Sequence, residues 1–90
     1  MSATFRWYSG SGCTGSLIAT SNGASSGQCV PLGGGRSAKS IRYDSVPNNA
    51  FFYRSGGPND NCRGSSSTTR RGSGCATAPD GFNWQSVRLD

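Results

Sequence analysis

The chain has no histidine, its only side-chain carboxylates are four aspartates, and leucine and methionine are scarce. Without histidine the commonest acid–base group near neutral pH is missing, and no nucleophile has an evident activating base. Catalysis is the least supported class; the expectation is a protein that is not an enzyme and uses no cofactor. There is no C-x-x-C pair and no histidine to serve as a second ligand type, which argues against a zinc site. No stretch is long and apolar enough to span a membrane. No window of ten residues carries an apolar stripe at the helical period, so helices should be few or absent. Nothing near Met1 resembles a signal peptide, since the strand-like ATFRWY stands where a positive start and an apolar run would be needed. A cytoplasmic location is the expectation. Its alternative is a secreted chain in which Met1 replaces a removed leader, favoured by an even cysteine count in a small chain.

What is present points to β-structure. Ninety residues suit one small domain, of a size at which a single core gives only marginal stability without added staples. Four Phe, three Tyr and two Trp are gathered in short runs such as TFRWYSG and AFFYRSGG, bounded by Gly, Ser and Asn. Aromatic and β-branched segments between turn residues read as strands of an all-β sandwich or barrel. Fourteen glycines by themselves would suit disorder, but the aromatics and four cysteines argue for a packed core.

The chain repeats itself. Shifted by 46 residues, Phe5 falls on Phe51, Ser9 on Ser55, Gly10 on Gly56 and Cys29 on Cys75; Gly35, Ser40, Arg42 and Asp44 fall on Gly81, Ser86, Arg88 and Asp90, with Ile41 on Val87. Cys13 and Cys62 are offset by 49, because the second copy gains three residues before its cysteine and loses three after it. Solenoids need three or more copies to bury a continuous core, so two copies point to a pseudo-twofold domain. Each copy reads as about four short strands. Motif one spans 1–44 and motif two 50–90, with SVPNN at 45–49 as the joint, since Pro47 and the paired asparagines favour a turn. A shared core is expected from Phe5, Trp7, Ile41, Phe51, Tyr53 and Val87.

WYSGSGCTG at Trp7 to Gly15 and FYRSGGPNDNCRG at Phe52 to Gly64 resemble the folded first hairpin of a βγ-crystallin Greek-key motif, and the closing segments around Ser40 and Ser86 resemble its end. The resemblance covers nearly all 90 residues and is to single-domain microbial and fungal members of the family. It implies one domain over 1–90, a sandwich of two Greek keys with about eight strands. Two departures stand out: Cys13 and Cys62 replace the motif's second aromatic residue, and the second hairpin loop is longer. In this family Ser40 and Ser86 would pin the hairpins of their own motifs, while Gly15 and Gly64 would supply a positive φ or a close approach.

Four cysteines allow three pairings, and exchanging the copies leaves each of the three unchanged. Proximity in sequence favours Cys13 with Cys29 and Cys62 with Cys75, closing loops of roughly 15 residues worth about 3 kcal/mol each. Many microbial relatives of this fold bind calcium through a short acidic stretch. Here the aligned stretches are Gly35 to Ser40 and Gly81 to Ser86, and both acidic positions and one hydroxyl ligand are missing from each. A hard cation needs six to eight oxygens, some of them charged, and Arg36 and Lys39 would repel it. Asp80 is the one weak metal candidate.

The net charge of +5 comes from eight arginines and Lys39, spread along the chain with Arg70-Arg71 as the sole doublet, in what reads as a loop between the second copy's cysteines. Scattered charge serves solubility more often than recognition. No nucleic-acid partner is expected; weak self-association and contact with an anionic surface or glycan stay open. The resemblance implies a stable structural or storage protein accumulated at high abundance, and the missing acidic positions make calcium independence the expectation. Its alternatives are a secreted antifungal, killer-toxin-like or protease-inhibitor-like protein of the same fold, and a module binding calcium or glycan.

Overall fold

Side chains of a strand point alternately to its two faces, and in β1 (Ala3–Tyr8) this buries Ala3, Phe5 and Trp7 and leaves Thr4, Arg6 and Tyr8 half-exposed. The computed structural model describes residues 3–32, 36–55, 62 and 66–90. Among them run β2 (Leu17–Ala24), β3 (Cys29–Pro31), β4 (Ser40–Arg54), β5 (Thr68–Thr77) and β6 (Trp84–Leu89). A short 3₁₀ turn lies at Ser11–Cys13. The protein is all-β. Its strands are antiparallel in the order β2-β1-β4-β6-β3, with β5 also paired to β4, and the sheet nearly closes into a barrel. An isolated antiparallel bridge joins Ala38 and Trp84.

About eight short strands were expected, and the described residues form six. β4 and β5 are the two longest, at 15 and 10 residues. Ser40 to Tyr43 of β4 pair with β1 and with Gly74 to Thr77 of β5, whereas Ala50 to Phe52 pair with β6 and with Thr68 to Arg70. Between these halves the expected joint at 45–49 does not break the strand. Ser45 takes φ 58° and the β4–β5 register shifts on both sides of buried Val46, so the chain bends while remaining paired. Arg70 and Arg71 accordingly lie on β5 and not in a loop.

The core joins both halves. Phe52 meets Phe5, Tyr43 and Trp84 edge-on, with ring centroids 6.3, 5.8 and 5.6 Å apart, geometry that suits the positive ring edge against the negative face. The indole N–H groups of the two buried tryptophans are satisfied, Trp7 donating to Ser21 Oγ and Trp84 to the Ala76 carbonyl. Phe5, Trp7, Ile41 and Val87 are fully buried as expected. Phe51 is not a core residue: it is half-buried and Phe52 takes the inward position, while Tyr53 is buried outside the main cluster. Register explains this correction. Trp7 lies opposite Ile41, and Phe52 lies opposite Val87. The first strands of the two copies therefore correspond at an offset of 45, and a slip of one residue exchanges the two faces of a strand.

The same pairing overturns the expected disulfides. β3 joins β6, which carries Cys29 to the second copy's half, and Cys75 lies opposite Arg42 in the first copy's half. Cys13 bonds Cys75 and Cys29 bonds Cys62, with Cα atoms 6.1 and 5.9 Å apart. Cys13, in the first hairpin, and Cys62 are each tied to the strand that the other copy contributes to that half of the sheet.

Candidate functional site

The features on which any role could rest are the pinned first hairpin, the Cys62 position, the two stretches ending at Ser40 and Ser86, and the basic surface. The first hairpin turns through Gly10 and Gly12, with the Gly10 N–H donating to the Thr14 carbonyl and the Ser9 N–H to the Ser16 carbonyl. Gly15 has φ 83°, and a Cβ there would stand 2.7 Å from Ser9 Oγ and 2.9 Å from the Gly10 nitrogen, so only glycine fits. Gly64 lies outside the described residues.

Ser40 and Ser86 are both fully buried. Ser40 Oγ accepts the Cys13 N–H at 2.8 Å and donates to the Gly10 carbonyl. Ser86 Oγ accepts the Cys62 N–H at 3.1 Å. Both cysteines sit at φ 58°, a conformation that costs an L-residue about 1–2 kcal/mol. Each strained cysteine is thus held twice, by a serine of its own copy and by a cysteine of the other. Residue types alone gave no signal of the positive φ, because Asn or Gly, and not Cys, marks such positions.

The two stretches that stand where calcium ligands would be expected meet each other. Asn83 Nδ2 donates to Ser37 Oγ at 3.0 Å, and Ala38 and Trp84 exchange backbone hydrogen bonds. Asp80 is exposed, in a turn closed by the Phe82 N–H on the Pro79 carbonyl, with Gly81 supplying the positive φ of 84°. Lys39 Nζ donates to the carbonyls of Pro79 at 3.1 Å and Phe82 at 3.3 Å. Carbonyl oxygens that could enter the shell of a hard cation face an ammonium group instead. Arg36 donates to the Leu32 carbonyl and is exposed.

The basic residues are dispersed. Asp44 pairs with Arg6 at 2.8 Å and lies 3.6 Å from Arg42 Nε, on a partly exposed face where such pairs contribute at most about 1 kcal/mol. Arg54 stacks over exposed Phe82, 4.2 Å from the ring centroid. Arg70, Arg71 and Arg88 are exposed, and Arg71 donates to Asn49 Oδ1. Among the described residues there is no pocket and no helix long and apolar enough to cross a membrane. Comparison with family models, curated proteins and solved structures finds no match for this chain.

Proposed function

We propose that this chain is a non-enzymatic structural protein of the βγ-crystallin type, one domain over 1–90 built from two Greek keys, whose role rests on compactness and durability. In this reading β4 and β5 each serve as two strands, which gives eight in two sheets. The observation that carries it is mirrored exchange. The third segment of each copy pairs in the other copy's half, with Cys29 opposite Arg88 and Cys75 opposite Arg42. The two disulfides exchange places under the same operation. Neither copy completes its sheet alone, so the two interlock.

Calcium independence is part of the proposal, supported by Lys39 on the Pro79 and Phe82 carbonyls and by the lack of acidic residues in both stretches. The test is titration calorimetry with calcium, together with thermal melts in calcium and in chelator. No heat of binding and equal melting temperatures are expected; micromolar binding that raises the melting temperature overturns the calcium-independent reading.

A second reading is favoured by the two disulfides, which persist in oxidising compartments and are rare in the cytosol. It is a secreted antifungal or toxin-like protein on the same scaffold. Alkylation of the freshly isolated native protein without reductant separates the locations, because four modified thiols point to the cytoplasm and none to secretion. Inhibition of fungal growth at micromolar concentration would replace the structural role with the toxic one.

A further inference from the structure

We propose that the Cys13–Cys75 bond is a site of thiol–disulfide exchange, opened by a dithiol while the Cys29–Cys62 bond stays closed and the chain stays folded. The two bonds differ in burial. Cys75 is exposed on β5 and Cys13 is half-buried, whereas Cys62 is only 8% exposed and Cys29 is half-buried. In other respects the bonds match. Cys75 lies opposite Arg42 and Cys29 opposite Arg88, so each bond has an arginine across the ladder. Cys13 and Cys62 share φ 58°, and a serine hydroxyl accepts the N–H of each.

Exchange begins when a thiolate attacks one sulfur and expels the other as a thiolate, so access to the first and hydration of the second set the rate. At the Cys13–Cys75 bond the attacked residue is Cys75, which faces solvent, and the thiolate that leaves is that of half-buried Cys13. The second thiol of the reductant then attacks the mixed disulfide, closes its own disulfide bond and releases Cys75. Two electrons pass to the protein, the dithiol is oxidised, and its two protons end on Cys13 and Cys75. At the Cys29–Cys62 bond both routes are impeded. Attack on Cys62 meets a buried residue, and attack on Cys29 expels a thiolate from Cys62, where burial disfavours the charge.

Opening the exposed bond leaves other contacts to hold the first hairpin. The Cys13 N–H donates to Ser40 Oγ at 2.8 Å and the Gly12 N–H to Thr77 Oγ1 at 3.0 Å, one contact on β4 and one on β5. The two thiols therefore stay close to each other, and a small-molecule disulfide, itself reduced, closes the same bond again. The site is a reversible switch between a chain with two covalent staples and a chain with one.

Dithiothreitol added to the native protein without denaturant tests this, with free thiols blocked by iodoacetamide at intervals and located by mass spectrometry. A form blocked at Cys13 and Cys75 alone should accumulate, because its bond opens about tenfold faster or more than the buried one. Before blocking, that form should keep its far-ultraviolet circular dichroism and regain the same bond in oxidised glutathione. Low urea should leave its rate of formation unchanged, as local access requires, while the Cys29–Cys62 bond opens faster. Simultaneous loss of both bonds overturns the proposal, and so does a form blocked at Cys29 and Cys62 alone. A Cys13–Cys75 rate that climbs with urea as steeply as the Cys29–Cys62 rate also overturns it, because the bond would then be reached only through unfolding.

Discussion

Removing the Cys13–Cys75 bond by Cys13→Ser with Cys75→Ser tests the strand exchange, because its cost depends on how the two bonds are nested. Cys29 and Cys62 are 33 residues apart and lie inside the 62-residue separation of Cys13 and Cys75. Closing the inner loop first is worth about 3.7 kcal/mol by the chain-entropy relation. The outer bond then closes only a residual loop of about 30 residues, from Cys13 to Cys29 and from Cys62 to Cys75, worth about 3.6 kcal/mol and not the larger value of an isolated loop. At about 4–8 °C per kcal/mol for a domain of this size, the double variant should melt about 15 to 30 °C lower and still fold. Mapping gives an independent reading. Tryptic cleavage of the thiol-blocked, unreduced chain leaves Cys13 and Cys29 together on the 7–36 peptide, Cys62 on 55–63 and Cys75 on 72–88. The nested pairing joins all three peptides. Further cleavage after Leu17 should leave Cys13 with the Cys75 peptide and Cys29 with the Cys62 peptide. A 7–36 peptide that comes free, with its cysteines bonded to each other, refutes the exchange. A loss below about 1 kcal/mol refutes the entropic argument.

Phe52→Ala should cost about 3–5 kcal/mol in urea denaturation and Phe51→Ala less than about 1 kcal/mol, and the reverse order would restore the offset of 46 throughout. Ile41→Ala and Val87→Ala should both be destabilising, by about 2–5 kcal/mol for the isoleucine and somewhat less for the smaller valine; a neutral result at either position breaks the common core. Ser86→Ala leaves the Cys62 N–H without its hydroxyl acceptor and should lower the urea midpoint by an amount equal to about 1–3 kcal/mol, with an unchanged slope. A Cβ at Gly74 would stand 2.7 Å from the Tyr43 hydroxyl oxygen, so Gly74→Ala should cost about 1–3 kcal/mol. Adding Tyr43→Phe, which removes that oxygen, should recover part of the loss; no recovery would place the strain elsewhere.

The β-rich character was legible because its causes are local. Phe5 and Trp7 alternate with polar neighbours, turn residues bound each run, and no helical stripe competes. The inward direction of Phe52 was not legible, because matching one phenylalanine to another favoured Phe51, whereas the opposed residues Ile41 and Val87 fix the register. Lys39 could be read as a repelling charge; only the packed turn at 79–82 brings two carbonyls to its ammonium group. Arg70 and Arg71 read as loop residues between glycines and serines, and β4 recruits them into a strand by pairing.

By itself the sequence determined that strands form and that the chain has two related copies. These depend on residue type and spacing within a few positions. Tertiary structure alone decided which strand lies beside which, and through that which cysteines bond. Two cysteines close in sequence are kept apart when the strand between them is hydrogen-bonded into the opposite half of the sheet. Cys29 is carried to Cys62 and Cys75 to Cys13 by ladders whose partners lie far along the chain.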